Sequence, residues 1–159
     1  MITVDAVAKL IISFRDDITN KKLQKLSYYV YAWHLTIYND LIADIEFEAW
    51  EHGPVCRKIY NLYKRYGWNT IPRYEGFILV DDDVVKFVKS VLMYYGDMDA
   101  EELEELTHKE EPWLNARKGC DPRSWSNAVI SKEDIIECYS KQIKIKEFIL
   151  NNMATMDFR

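Results

Sequence analysis

Apolar side chains recur with a helical period along most of the chain, most densely in residues 21–38. There Leu23, Leu26, Val30, Trp33 and Ile37 share one helical face, while Tyr28, Tyr31, Leu35 and Tyr38 share another. A helix that is apolar on nearly every side belongs inside a protein. Only the stripe Lys22, Lys25, Tyr29 and Thr36 suits water, so the pattern predicts a central helix with the other helices wrapped around it. Each Leu or aromatic side chain buried there would contribute about 1.5–3 kcal/mol.

Ahead of this stretch, Val4, Val7, Ala8, Ile11 and Phe14 repeat at helical spacing behind Thr3 or Asp5 as a cap, and Arg15-Asp16-Asp17 stops the run. Thr19 or Asn20 caps the central helix, which closes near Asn39-Asp40. Residues 45–50 then alternate as a strand, with Ile45, Phe47 and Ala49 on one side. His52-Gly53-Pro54 breaks that strand, and Pro54, tolerated at a first helical position, is expected to open a helix. Its inner face would be Val55, Ile59, Leu62 and Tyr66, its outer face Arg57, Asn61, Lys64 and Arg65, and Gly67 its stop. The β-rich run 74–80 is expected to pair with the first strand.

Asp81 to Asp83 precede a helix over 84–95 that buries Val84, Phe87, Val88, Val91 and Tyr95, and Asp99 caps a short acidic helix over 100–107 whose Leu103 and Leu106 point inward. A further short helix starts around Pro112-Trp113, and 119–126 reads as a loop. Ser131 with Asp134 resembles a capping box opening a C-terminal helix, with 151–159 expected to fray. The fold class is therefore mainly α: one compact helical domain over 1–159, built round a buried central helix, with a small two- or three-stranded β element and with 131–159 as a C-terminal helix and tail.

Composition narrows the function classes. Hydrophobic residues at 48% and aromatics at 14% fit a compact globular chain. A formal charge of −5 argues against a general nucleic-acid binder, whose affinity rests on clustered Lys and Arg. Cys56, Cys120 and Cys138 are odd in number and lack paired spacing, which suits reduced thiols in a cytosol. The apolar run 7–14 is closed by charge with no small-residue cleavage site after it, so no signal peptide is read. No apolar run approaches the roughly 20 residues that cross a bilayer, and a soluble, cytoplasmic protein without a membrane partner is expected.

An ordered set of blocks carries a resemblance. Lys22-Leu23-Gln24-Lys25-Leu26, Tyr28-Tyr29, Ala32-Trp33-His34-Leu35, Phe47-Glu48-Ala49-Trp50, His52-Gly53-Pro54-Val55 and Tyr63-Lys64-Arg65-Tyr66-Gly67 resemble the Panacea domain, also described as the SocA-like antitoxin or phage-associated GepA-like family. Leu103 to Thr107, His108, and Pro112-Trp113 to Ala116-Arg117 resemble its second stretch. The resemblance implies a mainly helical antitoxin of toxin–antitoxin pairs, often carried by phages and mobile elements, on a scaffold that meets unrelated toxins. The implied partner is a cognate protein toxin encoded by an adjacent gene. One relative is thought to deliver its toxin to a cytosolic protease, which makes a protease a second possible partner. Among the matching residues, Trp33, His34, Trp50, His52, Gly53, Pro54, His108, Pro112, Trp113 and Arg117 are read as structural.

The residue chemistry is consistent with binding and gives catalysis little to work with. His34, beside Trp33 in the central helix, reads most simply as a hydrogen-bonded core histidine, and His52 as a turn residue whose ring bonds a carbonyl. His108, with Glu110 and Glu111, is either an acid–base group or a helix-end partner for carboxylates. His52 and Cys56 cannot share a helical face across Gly53-Pro54, and no Cys-x-x-Cys spacing exists, so no metal is expected. There is neither a glycine-flanked serine nor a glycine-rich phosphate loop, and no cofactor is expected.

Two surfaces remain as candidates for a partner. Asp97, Asp99, Glu101, Glu102, Glu104 and Glu105 make a negative patch, either a solvated helix or a field that would speed encounter with a basic toxin. Arg57, Lys64 and Arg65, with Tyr60 and Tyr63, make a basic face that reads first as ordinary exposed charge. Trp113 is expected as a core plug and Trp125 as an exposed anchor. The leading expectation is a non-catalytic antitoxin. The alternatives are a phage-associated regulator binding nucleic acid through the Arg57 face and a hydrolase using His34, His52 or His108.

Overall fold

Residues Asn20–Tyr38 form a helix of 19 residues, α2, and 14 of them are buried, so this rod is the axis of the molecule. Thr19 caps it by accepting a hydrogen bond from the Lys22 amide, and Asn39 ends it in a left-handed conformation with φ of 51°. The computed structural model describes residues 1–156, with 58% of the chain helical.

The other elements are α1 (Val4–Phe14), the strands β1 (Glu48–Trp50) and β2 (Gly53–Val55), α3 (Arg57–Tyr63), α4 (Asp82–Tyr95), α5 (Ala100–His108), α6 (Glu111–Ala116), α7 (Lys132–Tyr139) and α8 (Ile143–Thr155). Helices α1, α3, α4, α5 and α7 and strand β2 all pack against α2, whereas α8 lies on α4. None of these helices is long and apolar enough to cross a membrane.

The amphipathic period explains most of the helices. Val7, Ala8 and Ile11 of α1, Phe87, Val88 and Val91 of α4, and Leu103 of α5 are all fully or nearly fully buried. Around α2 the aromatics interlock: Tyr29 stacks on Tyr95 with centroids 4.0 Å apart, Tyr28 meets Phe47 edge-on, and Trp33 Nε1 donates to Tyr95 Oη at 2.8 Å.

Several expectations are corrected. The stripe assigned to water is not wet: Lys22, Lys25 and Tyr29 are buried and only Thr36 is partly exposed. Long lysine stems bury readily when the ammonium finds acceptors, and here α5, the β-hairpin and the loop after α4 cover them. Pro54 does not open a helix. Gly53 has φ of 108°, which is not helical, so 53–55 run extended and pair antiparallel with 48–50 before α3 starts at Arg57.

Consequently Leu62 is 41% exposed and Tyr63, not Leu62, turns inward. Residues 74–80 form no strand, and Phe77 and Leu79 lie exposed. The first strand is instead flanked by 128–130, through an isolated bridge between Glu48 and Val129. Ala49 N donates to Ala128 O and Ile130 N to Phe47 O, both at 2.8 Å.

The C-terminal segment is two helices. Ser131 caps α7 by accepting from Asp134 N, and the chain turns at 140–142 because Tyr139 is held in the core while α8 must reach α4. The helix continues to Thr155 where fraying from 151 was expected, and the expected fraying of 157–159 lies outside the described residues.

Candidate groove beside the central helix

The first turns of α2, the β-hairpin, the end of α3 and the start of α5 enclose an open groove of about 760 Å³. Trp50, Val55, Tyr60, Trp68 and Ala100 supply apolar walls, and Lys25 lies at its floor. Ligand-binding clefts of this size and apolar character are the usual form of a recognition site.

Lys25 is 1% exposed, and its Nζ donates to Pro54 O at 3.3 Å. Burial pushes its pKa down to about 7, with the nearby Lys21 charge adding and Glu104 opposing. Gly53 makes room for this side chain. A Cβ on Gly53 would stand 2.6 Å from Lys25 Cε and 3.1 Å from Thr107 Oγ1. The His-Gly-Pro sequence is thus a packing requirement as well as a turn.

Neighbouring groups are largely paired. Lys22 Nζ donates to Gly96 O at 2.7 Å and to Asp17 at 2.9 Å. Arg15's hydrogen bonds, followed by Lys22, hold the Asp17 carboxyl well below the usual carboxylate range. Gln24 Oε1 accepts from Cys56 N at 3.0 Å, fastening α2 to the start of α3.

The acidic helix is less open than its composition suggests. Asp97 accepts from Arg15, Asp99 and Glu102 form a reciprocal capping box, and Lys21 sits 3.5 Å from Glu101 and 3.0 Å from Glu104. Burial works to raise the Glu104 pKa, but the Lys21 hydrogen bond and the charges of Lys21, His52 and His108 bring it below its ordinary value. Glu105 is exposed.

The basic face is also divided. Arg57 makes a two-pronged contact to Glu48 at 2.8 and 3.1 Å and lines a separate hollow of about 430 Å³. Lys64 lines the large groove, and Arg65 turns to Leu62 O and the Tyr66 hydroxyl. Trp125 is 71% exposed in the loop before α7.

The three histidines take different roles. His34 is half-buried rather than in the core, and its Nδ1 lies 2.7 Å from Asp40 O at the end of α2. His52 was expected to bond a carbonyl, but its ring lies instead 3.0 Å from a Glu104 carboxylate oxygen, with its side chain 67% exposed. His108 stacks on Trp113 at 4.0 Å, and burial lowers its pKa against the opposing Glu104 charge. His34 is thus separated from the other two, which share the neighbourhood of Glu104.

The remaining matched residues tie elements together. Trp113 is 4% exposed and donates through Nε1 to Trp50 O at 2.8 Å, and Pro112 is buried in the first turn of α6. Arg117, 4% exposed, donates to Ala49 O and to the carbonyls of Asp121, Pro122 and Ser124, fastening the 119–126 loop to the hairpin. Sequence reasoning missed Lys25 as a floor residue, whereas Trp68, a loop aromatic of the kind that anchors interfaces, is 90% exposed and lines the groove. The signal for Lys25 was its place among the blocks Lys22 to Leu26 and His52 to Val55, which fold onto each other.

Compared with known families, residues 23–114, more than half of the chain, match the family model described as "Antitoxin SocA-like, Panacea domain". No curated protein and no solved structure matches the chain.

Proposed function

We propose that this chain, which belongs to the SocA-like antitoxin family defined by the Panacea domain, neutralises a cognate protein toxin by direct binding. The toxin would be the product of an adjacent reading frame, and the pair would work in the cytoplasm, on a phage or mobile element. The family match carries this reading. Support comes from a rigid α2 clasped on several sides and from an open, aromatic-walled groove beside it. A pre-formed cleft on a fixed scaffold loses little ordering entropy on binding.

Delivery of the bound toxin to a cytosolic protease is the narrower version of the same role. The chain would then shorten the toxin's half-life in cells, a loss that disappears when the protease is deleted.

A hydrolase remains the second reading because of one contact, His52 beside Glu104. A general base must reach the proton it removes and be held there. His52 is largely solvent-exposed and Glu104 is engaged by Lys21 as well, so the pair is a poor relay. Nucleic-acid binding has still less support, since Arg57 is occupied by Glu48 and the net charge is −5.

Co-expression tests the proposal. The neighbouring product should arrest growth alone and lose that effect when this chain is present. The chain with His52→Ala should rescue as well as the unaltered one. Failure of the unaltered chain to rescue would remove the antitoxin role, and because His52 lines the groove, loss of rescue in His52→Ala would favour catalysis only with toxin binding unchanged.

A further inference from the structure

We propose that the groove beside α2 seats an apolar segment of the partner toxin whose single carboxylate, from a side chain or a C-terminus, is taken by the Lys25 ammonium. This rests on the antitoxin reading and adds the surface and its chemistry.

The argument begins with donors. An ammonium has three N–H bonds to place, and the Lys25 Nζ donates to one acceptor, Pro54 O, at a long 3.3 Å. Lys22, one turn earlier, shows the contrast, because its ammonium holds both Gly96 O and Asp17 at under 3 Å. A buried cation is tolerable when it is paired, and among the described residues no carboxylate forms an ion pair with Lys25, Glu104 acting on it only at longer range, while Lys25 lies against the cavity. A single carboxylate from outside would satisfy it.

The walls decide what carries that carboxylate. Trp50, Tyr60 and Trp68 offer broad apolar faces, of the kind that anchor protein interfaces. Of the cations lining the groove, Lys22 is paired with Asp17 and Lys21 with Glu101, so the cleft does not offer the run of free Lys and Arg that a polyanion such as nucleic acid needs. One negative group embedded in apolar contact is a peptide feature.

The test uses the full chain and the purified product of the adjacent reading frame, after that product has been found toxic and rescued. Lys25→Met keeps the stem and removes the charge. Trp68→Ala removes a side chain that is 90% exposed and carries no structural load. Each should keep the thermal midpoint at or above that of the unaltered chain and weaken toxin binding at least tenfold.

In the toxin, Asp→Asn and Glu→Gln changes, one at a time, and a C-terminal amide should reveal one carboxylate whose loss also costs at least tenfold. Combined with Lys25→Met, that change should cost no more than either alone. Toxin binding within twofold of normal for both groove variants, with rescue by the unaltered chain intact, would overturn the groove while leaving the antitoxin role standing. The absence of any coupled carboxylate would overturn the Lys25 assignment. Absence of rescue by the unaltered chain would overturn both.

Discussion

The two halves of α2 both carry buried polar side chains, and they treat them in opposite ways. From the middle of the helix onward a connected set of hydroxyls is bonded, although Ser27 Oγ in the preceding turn has no partner among the described residues. Tyr29 and Tyr139 both donate to Glu110 Oε1, at 2.6 and 2.9 Å, and Gln142 reaches Glu110 Oε2. Tyr28 meets the Tyr139 hydroxyl at 3.0 Å, and Trp33 is bonded to Tyr95. Burial raises the Glu110 pKa while the two tyrosines and Gln142 pull it back. In the first half, Lys25 lies on the floor of an open groove with one long hydrogen bond. A satisfied buried network specifies a fold. An incompletely satisfied one beside a cleft leaves capacity for something to bind.

The largest effect should come from breaking the closed half. Trp33 is fully buried and its indole is bonded, so Trp33→Ala removes a large packed side chain and leaves the Tyr95 hydroxyl without its donor. A loss of about 3–5 kcal/mol is expected from the cavity alone. The midpoint of urea unfolding, with an unchanged slope, checks it. A loss below about 1 kcal/mol, the level of a surface change, would mean that this half is not the stabilising core.

The next effect separates two glycines. Gly53 and Gly119 both have positive φ, 108° and 89°, but a Cβ on Gly119 meets nothing within 4 Å, whereas one on Gly53 strikes Lys25. Both Ala substitutions incur backbone strain of about 1–2 kcal/mol. Gly53→Ala adds overpacking of about 1–3 kcal/mol. Thermal denaturation of the two variants and of Gly53→Ala with Lys25→Ala gives the comparison. The double variant should recover the overpacking part, and equal losses for the two glycines would mean that Lys25 does not run beneath Gly53.

How much of this was legible in the chain follows from what each pattern encodes. Helical period located α1, α2, α4 and α5 because burial repeats every three to four residues and the caps Thr3, Thr19 and Asp99 sit where polar side chains meet the free amides. Period says nothing about what covers a polar stripe, so Lys22 and Lys25 were assigned to water. Pro54 is compatible with a first helical turn and with an extended strand, and the choice was made by Gly53 and by pairing with β1, neither of which is local information. The run 74–80 has β propensity yet finds no strand partner, since 128–130 lies beside the first strand. The groove itself, assembled from four separated segments, has no sequence signature.

The smallest effect is the most direct probe of the open half, because it reads the Lys25 charge through stability. Its ordinary pKa of 10.5 falls to about 7 in the folded chain. Above about pH 10.5 the amine is neutral folded or unfolded and carries no penalty. As pH falls from there towards 7, the unfolded chain takes up the proton and the folded one does not, so stability is lost across this window. Below about 7 both states are charged and the penalty is constant.

Lys25→Met removes that penalty. The shift sets a ceiling of about 5 kcal/mol, and losing the Pro54 bond takes back about 1 kcal/mol. A net gain on the order of 2 kcal/mol at pH 6.5 is expected, shrinking towards zero by pH 10. Lys21 and Glu104 act on Lys25, and Lys25 in turn lowers the His108 pKa, so the difference between the two melting curves reports the Lys25 charge together with its coupling to these groups. A gain that stays constant with pH would mean that the ammonium is already well solvated or paired in the free protein, and the contrast between the two halves of α2 would vanish. A gain that shrinks as expected, and that shrinks also at pH 6.5 when the toxin is bound, would show a buried charge that destabilises the free chain and is compensated by its partner.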